Sequence, residues 1–264
     1  MSDINRTTRL DALRESVRAI ERGGAERRPV LPFGVAGIDD RLAEGGIAGA
    51  ALHEAAGADA GMGADAAATL FLAGIAGRLT GQVLWVVSRR DLFAPGLQQA
   101  GLPPDRVIYA ETGQDADTLA VMEEGLRHGS LAAVIGEASR AGLTATRRLQ
   151  LAAEAGGTTA LLLRRWKRSG ADPMEEPSAA VTRWKLAPAP SAPLPVAGIG
   201  RARWQLSLVR QRGGDIFDWT VEANDAAGRL ALPAGIRDRA GAADRPADRA
   251  GNRAGGRSSG RAAA

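Results

Sequence analysis

The chain has 264 residues, 45% of them hydrophobic, and a formal net charge of +4 at pH 7. This length suits one domain of moderate size with terminal segments, and the apolar fraction is sufficient for a buried core. The lack of cysteine excludes disulfides and thiolate metal sites. The sequence shows neither a signal peptide nor an apolar run long enough for a membrane span. We therefore expect a soluble cytoplasmic protein without membrane contact.

The first predicted element is a helix at residues 3–22, within an amino-terminal region that spans residues 1–28. Its apolar residues recur at helical spacing and form one stripe. The stripe consists of Leu10, Leu13, Val17 and Ile20. It could dock on the chain's own domain or on a partner protein, and the sequence leaves both open. A linker with two prolines follows, and then a short predicted helix at residues 34–43.

The next stretch predicts a strand at residues 50–56, a glycine-rich loop at residues 57–64 and a helix with Asp65 at its N-cap. This order is the layout of a P-loop, in which backbone N–H groups and a lysine bind phosphates. The glycines are present as Gly57, Gly61 and Gly63. No lysine occurs in the first half of the chain, and Asp59 and Asp65 would repel an anion. We therefore predict a vestigial P-loop without cofactor or metal.

Beyond this loop, apolar runs of the buried-strand type alternate with segments of helical spacing. The predicted strands are residues 82–88, 106–110, 131–135 and 158–163, and the predicted helices are residues 95–100, 115–128 and 144–155. Alternation of this kind predicts an α/β fold with a mostly parallel sheet that helices cover on both faces.

The pattern then changes. Residues 164–179 are polar and interrupted by prolines, which predicts a mobile loop. A strand at residues 180–186 and a proline-rich loop lead to two strands at residues 202–212 and 217–222, and alternating apolar residues in the first of these predict a half-exposed antiparallel hairpin. The core domain thus spans residues 29–233. Four tryptophans in strand patterns should pack in the core or the hairpin: Trp85, Trp184, Trp204 and Trp219.

The base of the polar loop carries four cations around an indole, namely Arg164, Arg165, Trp166, Lys167 and Arg168. Phosphate neutralisation combined with base stacking would suit a contact with single-stranded DNA, and the same residues could contact a protein partner. The alternative is a tryptophan packed on the core at a strand end, with solvated arginines around it. Glu175 and Glu176 in the same loop count against a continuous track for phosphates.

The carboxyl-terminal segment, residues 234–264, is rich in alanine, glycine and arginine, which predicts a disordered tail. Residues 236–264 contain seven arginines and three aspartates and so account for the whole positive surplus. This distribution of charge predicts a basic tail, and it does not indicate a core domain whose whole surface binds nucleic acid. The preference for arginine over lysine is equally compatible with a GC-rich genome.

Several spaced segments resemble the RecA-type recombinases, and within that superfamily the ImuA family. The run LPFGVAGIDDRLAEGGIAGAALHEAAG is similar to the recombinase segment that ends before the P-loop, and RARWQLSLVRQRGGDIFDWTVEANDAAG to the final hairpin. The segments SRRDLFAPGLQQAGL and RRLQLAAEAGGTTALLLR carry the ImuA likeness. The resemblance covers roughly residues 30–233, and it implies a RecA-like core with a carboxyl-terminal antiparallel hairpin and a degenerate P-loop.

At the positions where the resemblance implies ATPase groups, this chain has other residues. Where a RecA-type ATPase has a water-orienting carboxylate, this chain has Arg89 and Arg90, and Gly136-Glu137 replaces the magnesium-associated aspartate. Glu137 could mimic that aspartate; the alternative is a solvated or arginine-paired residue at a strand end. We therefore expect no ATP hydrolysis, whereas weak ATP binding through backbone amides stays open.

The resemblance implies a non-catalytic adaptor in SOS-induced, error-prone translesion DNA synthesis, associated with the nucleoid when DNA is damaged. The implied partners are an ImuB-like homologue of Y-family polymerases, RecA and an error-prone copy of the polymerase α-subunit. Two alternatives stay open: an atypical ATP-binding recombinase-like NTPase and a cell-division inhibitor of the SulA type. The final hairpin and the arginine-rich tail argue against the second.

Overall fold

The computed structural model describes residues 28–167, 170–194, 198 and 200–233. The predicted helix at residues 3–22 with its apolar stripe, Arg168 and the tail at residues 234–264 lie outside the described residues. In the part of the chain that the structure describes, no helix is both long enough and apolar enough to cross a membrane.

The described residues form ten strands, five helices and one 3-10 turn. The strands are β1 (Val30–Leu31), β2 (Ile47–Ala48), β3 (Leu52–Gly57), β4 (Val83–Val87), β5 (Val107–Glu111), β6 (Ala133–Ala138), β7 (Thr159–Arg164), β8 (Thr182–Ala189), β9 (Arg203–Gln211) and β10 (Phe217–Glu222). The helices are α1 (Ala36–Asp39), α2 (Met62–Gly77), α3 (Ala94–Gln99), α4 (Asp115–His128) and α5 (Leu143–Gly156), and the 3-10 turn is Pro104–Arg106.

Eight of the strands form one mixed sheet in the order β10-β9-β8-β3-β7-β6-β4-β5. The six strands from β8 to β5 in this order are parallel, whereas β9 and β10 are antiparallel and close the other end as a hairpin. The predicted α/β fold with a mostly parallel sheet and a final antiparallel hairpin is confirmed. Because the carboxyl ends of parallel strands meet at one edge of a sheet, the ends of β3, β6 and β7 lie side by side.

Each face of the sheet carries its own core. Alternate residues of β7 point to opposite faces, so Leu161 belongs to one core and Leu162 to the other. Helix α2 covers the first core, where the rings of Phe71 and Trp184 lie 5.5 Å apart. Helices α4 and α5 cover the second core. The four tryptophans predicted to pack inside, Trp85, Trp184, Trp204 and Trp219, are all buried.

Strand β9 contains a bulge that changes which side chains face the core. Its Leu208 lies opposite Trp184 of β8, but Arg210 lies opposite Arg183, so Val209 is the extra residue. Such an insertion reverses the alternation of the strand beyond it. Gln211 therefore turns inward, where its side chain bonds to main-chain atoms of three other residues: Arg41, Ala43 and Asp215.

Several predicted elements have different bounds in the structure, a short helix and strand β8 among them. The helix predicted at residues 34–43 is the single turn α1, because Asp39 turns back to accept the N–H groups of Phe33 (2.7 Å) and Gly34 (2.8 Å). Strand β8 continues into the predicted proline-rich loop. Its pairing with β3 ends at Leu186, and Pro188 lies beyond that point, where β9 is the one described strand that pairs with it.

Candidate functional site

The polar groups of the loop between β3 and α2 form hydrogen bonds with one another and with other parts of the chain. The Asp59 carboxylate accepts the N–H of Gly61 (2.7 Å), and the indole N–H of Trp166 donates to the carbonyl of Gly57 (2.8 Å). The N–H of Ala58 donates to the carbonyl of Leu186 (2.7 Å). Backbone amides at such a loop would serve phosphate in a P-loop. Here a carboxylate of the chain itself takes one of them.

Helix α2 begins at Met62, with Gly61 as its N-cap residue and no capping bond from a side chain. The prediction that Asp65 is the N-cap is therefore wrong. Asp65 lies in the first turn together with Gly63, and its carboxylate pairs with Arg165 instead of capping the helix. A carboxylate in this turn already interacts with the positive end of the helix dipole, and this reduces the attraction between that helix end and an anionic ligand.

Arg165, which directly follows β7, binds three carboxylates. Its guanidinium pairs with Asp65, with Asp91 at 3.1 Å and with Glu137 at 3.0 Å. We call Asp65, Asp91, Glu137 and Arg165 the Arg165 cluster. The side chain of Glu137 is fully buried, and that of Arg165 is 4% exposed. The cluster joins the first turn of α2, the loop after β4 and the end of β6 around one cation.

The burial of the Arg165 cluster shapes its electrostatics. Burial raises the pKa of Glu137, against the opposing effects of Arg165 and of the indole N–H of Trp85, which donates to Glu137 at 3.1 Å. Burial by itself lowers the pKa of Arg165, but Glu137, Asp65 and Asp91 outweigh it and raise that pKa. The three carboxylates therefore favour the charged guanidinium.

For Glu137, the structure confirms the arginine-paired alternative and contradicts the solvated one. Strand β6 was predicted to end at residue 135, but it extends to Ala138. Glu137 therefore lies inside the strand, between neighbouring strands that exclude water. The sequence could not show this, because a carboxylate near a strand end is exposed or buried according to what lies beside it.

A second group of buried charges lies around Glu54 in β3. Its carboxylate accepts hydrogen bonds from Arg164 (3.3 Å), Arg183 (2.7 Å) and the hydroxyl of Ser178 (2.7 Å). We call these four residues the Glu54 cluster. Three of its side chains are fully or almost fully buried charges. Two arginines around one buried carboxylate are tolerated because most of their remaining N–H groups bond to other acceptors of the chain, the Nε–H of Arg164 being the exception.

The Glu54 cluster also holds the polar segment that follows β7. Arg164 donates to Glu176 (2.6 Å), and Arg183 donates to the carbonyl of Met174 (2.9 Å). Glu176 in turn accepts the N–H of Ala141 (3.0 Å). Hydrogen bonds and one ion pair therefore attach residues 174–178 to β3, β7 and β8, which argues against the predicted mobility of this stretch.

The five residues predicted at the base of the polar loop have different environments. Arg164 and Arg165 are buried in the two clusters, so neither is a solvated arginine, and both are occupied by carboxylates. Trp166 is half-buried against the loop after β3. Lys167 is largely exposed, with its ammonium 3.9 Å from Asp115. Arg168 lies outside the described residues, and the contact with DNA or a partner stays a prediction.

Sequence reasoning missed Glu54, Arg183 and His53 as members of a buried polar network. His53 Nδ1 lies 2.7 Å from the hydroxyl of Thr182, and Nε2 lies 2.8 Å from the carbonyl of Ala48. Burial lowers the pKa of His53 from 6.5 to about 4. A signal was available, because charged or polar residues in the middle of an apolar strand are seldom buried without partners.

Comparison with known proteins adds sequence and fold relatives. No family model matches the chain. The proteins named ImuA from two strains of Caulobacter vibrioides, NA1000/CB15N and ATCC 19089/CB 15, are each 39% identical to it over 216 residues. The match spans 78% of this chain and 88% of each relative.

Among solved structures, the RadB recombinase matches 77% of this chain and 99% of its own, with a TM-score of 0.51 and 17% identity. SulA from Pseudomonas aeruginosa matches 44% of this chain and 98% of its own, with a TM-score of 0.38 and 22% identity. The RadB match shows that the core is RecA-like, as the sequence predicts. From its identity to the Caulobacter proteins over most of both lengths, the chain belongs to the ImuA family.

Proposed function

We propose that the chain is a non-catalytic RecA-like adaptor in SOS-induced, error-prone translesion DNA synthesis. Membership of the ImuA family supports the pathway, and one structural observation carries the non-catalytic role. That observation is the Arg165 cluster, in which a side chain of the protein neutralises the carboxylates beside the vestigial P-loop.

The chemistry of phosphoryl transfer supports this reading of the cluster. Catalysis of that reaction depends on cations that hold the β- and γ-phosphates and on a carboxylate that orients water. No lysine occurs among residues 57–65. Glu137 lies where the resemblance puts the magnesium-associated aspartate, but its carboxylate bonds to Arg165 and Trp85. A magnesium ion there would have to displace a buried guanidinium.

The RecA-like scaffold that the chain has retained supports the adaptor role. The eight-stranded sheet and both cores are complete, although the groups that would cleave ATP are missing. We propose that the surfaces of this scaffold bind an ImuB-like homologue of Y-family polymerases, RecA and an error-prone polymerase α-subunit. The apolar stripe of Leu10, Leu13, Val17 and Ile20 is the first candidate face.

The test combines ATP turnover with partner binding. Purified full-length protein, free of RecA, is assayed with radiolabelled ATP, and its binding to each purified partner is measured. We expect no turnover above the background and saturable binding to at least one partner. ATP hydrolysis that co-purifies with the protein and responds to Asp65→Ala would support the atypical NTPase instead.

The candidate face is tested in the same binding assay. Leu13→Asp together with Val17→Asp should abolish binding, because two carboxylates would disrupt the apolar stripe. Substitution of the polar neighbours Arg14 and Ser16 by aspartate is the matched control. If the control and the double variant bind equally well, the face is the wrong one, although the adaptor role would stand.

A further inference from the structure

A surface groove lies between α5 and the end of β9, on the opposite side of the sheet from α2. Its volume is about 350 Å³. Its lining includes Leu143, Arg147 and Leu151 of α5 and Arg210 and Arg212 at the end of β9. We call it the arginine groove.

The three arginines of the groove are exposed and have no carboxylate partner within the described ranges. Arg210 and Arg212 donate to the carbonyls of Ser178 (2.5 Å) and Ala179 (3.3 Å), which fixes their direction but leaves their charge uncompensated. Among the described residues, the lining contains one carboxylate, that of Glu154.

Glu154 does not neutralise these arginines, because it is already paired. Its carboxylate lies 2.5 Å from the guanidinium of Arg28 and accepts a hydrogen bond from Gln150 at 2.8 Å. The groove therefore keeps a surplus of positive charge. This positive charge is local to the groove, because residues 1–235 as a whole have no net charge.

The bulge at Val209 puts two of the arginines there. Without it, Arg210 and Arg212 would continue the alternation of Leu206 and Leu208 and would point into the core. With it, Gln211 takes the inward position and both arginines face the groove. The bulge therefore directs two charged side chains toward one surface, where they can contact a ligand.

The groove is apolar as well as basic. Leu143 is 45% exposed and Leu151 is 58% exposed, and Arg147 lies between them at one-turn spacing on α5. The two leucines are therefore about 12 Å apart along the helix axis. Phosphates would leave these leucines uncovered, whereas a protein segment that alternates carboxylates with apolar side chains would satisfy both kinds of group.

We infer that the arginine groove binds an acidic amphipathic segment of a partner protein, at least about two helical turns long, with apolar side chains toward Leu143 and Leu151 and carboxylates toward the arginines. This inference deepens the adaptor proposal and rests on it for the identity of the partner. The chemistry of the groove rests on the structure alone.

The first experiment uses a labelled synthetic peptide about four turns long, with leucines on one face and glutamates beside them. Full-length protein should bind it saturably in fluorescence anisotropy. Arg147→Glu with Arg210→Glu should weaken binding by about tenfold or more, because attraction becomes repulsion. Arg89→Glu, an exposed arginine outside the groove, should leave it unchanged, and thermal melting shows that each variant is folded.

The second experiment places a photo-crosslinking residue at Leu151 and adds each purified partner of the adaptor proposal in turn. The crosslinked segment should be acidic and apolar, and lysines in place of its carboxylates should restore binding to the Arg147→Glu, Arg210→Glu variant. Partner binding without a crosslink would overturn the groove and leave the adaptor role intact.

The two proposals fail in different ways. Peptide binding without partner binding would support the groove and count against the adaptor role. A peptide that does not bind, together with no crosslink to any partner, would overturn the groove. Preferential crosslinking of Leu151 to a single-stranded oligonucleotide would overturn it as well, in favour of nucleic acid.

Discussion

At the scale of single residues, the unusual feature of this protein is the number of ionisable side chains buried inside its sheet. Glu54, Glu137, Arg164 and Arg165 lie on β3, β6 and β7 or directly after them, and all four are buried. Two arginines and two glutamates balance in charge, and each finds a partner across strands. Buried ion pairs contribute little net stability, but loss of one partner is costly because the other is left unpaired.

His53 gives a pH-dependent prediction at this scale. It is buried as the neutral ring, in which Nε2–H donates to Ala48 and Nδ1 accepts from Thr182, whose oxygen accepts the Trp184 indole N–H (2.7 Å). Because its pKa of about 4 is below the ordinary 6.5, the unfolded chain takes up the proton first as the pH falls. The stabilisation is complete above pH 6.5 and is lost toward pH 4, by about 3 kcal/mol.

Urea unfolding at neutral pH and near pH 4.5 measures this loss. His53→Gln removes the titration, so the variant should lose less stability on acidification than the unmodified protein does. His128→Gln, at an exposed position, is the matched control and should keep the full loss. Equal pH dependence of the two variants would contradict the assignment.

Arg165 and Glu137 give a second prediction at the residue scale. Arg165→Met should lower the free energy of unfolding by about 3–5 kcal/mol, because it leaves the buried Glu137 carboxylate without its cation. Adding Glu137→Gln should recover part of that loss, so the two effects are not additive. The exposed pair Arg90–Glu111 is the control, for which the same cycle should give a coupling of at most about 1 kcal/mol. Strict additivity at the buried pair would be inconsistent with the cluster.

At the scale of elements, helices α4 and α5 approach each other closely where a glycine allows it. A Cβ atom on Gly156 would lie 1.9 Å from the carbonyl oxygen of Leu126. This neighbour is a backbone atom in the last turn of α4, so it cannot rotate away as a flexible side chain could. The separation of the two helices therefore depends on the missing side chain.

Gly156→Ala should destabilise the protein by about 2 kcal/mol or more, because the helices must separate to accept the methyl group. Gly113→Ala is the matched control, since no atom lies within 4 Å of its would-be Cβ. That variant should be neutral or slightly stabilising. Thermal melting of both variants is the measurement, and equal melting temperatures would refute the close approach.

At the scale of the whole molecule, charge is distributed unevenly along the chain. The seven arginines and three aspartates of residues 236–264 carry the net charge, and Arg164 and Arg165 of the predicted DNA loop are occupied by carboxylates. Non-specific binding to nucleic acid is dominated by phosphate neutralisation. We therefore expect the carboxyl-terminal segment, more than the loop, to govern any affinity for single-stranded DNA.

Truncation after Pro233 should reduce both the affinity for a single-stranded oligonucleotide and its salt dependence. Seven arginines correspond to a change of at most about 5 in the slope of log K against log salt. Lys167→Ala in the full chain should change that slope by less than about 1. Anisotropy titrations across a salt series measure both. If Lys167→Ala has the larger effect, the loop is the DNA contact.

The order of elements could be predicted because local patterns record how each segment is solvated. Continuous apolar runs such as TALLLR of β7 mark strands that are buried on both faces, and alternation in WQLSL of β9 marks the hairpin. The missing lysine of the P-loop is likewise a property of composition. The sequence by itself therefore determined the fold class and the final hairpin, and it predicts a loop without the phosphate-binding lysine.

Only the tertiary structure decided where the charges go. Arg164 meets Glu54 across 110 positions of the chain, and Arg165 meets Asp65 across 100. Whether an arginine after a strand is solvated or buried depends on the strands beside it. One extra residue at Val209 reverses the direction of the side chains that follow it at the end of β9. Local periodicity carries neither kind of information, because both follow from which strands become neighbours.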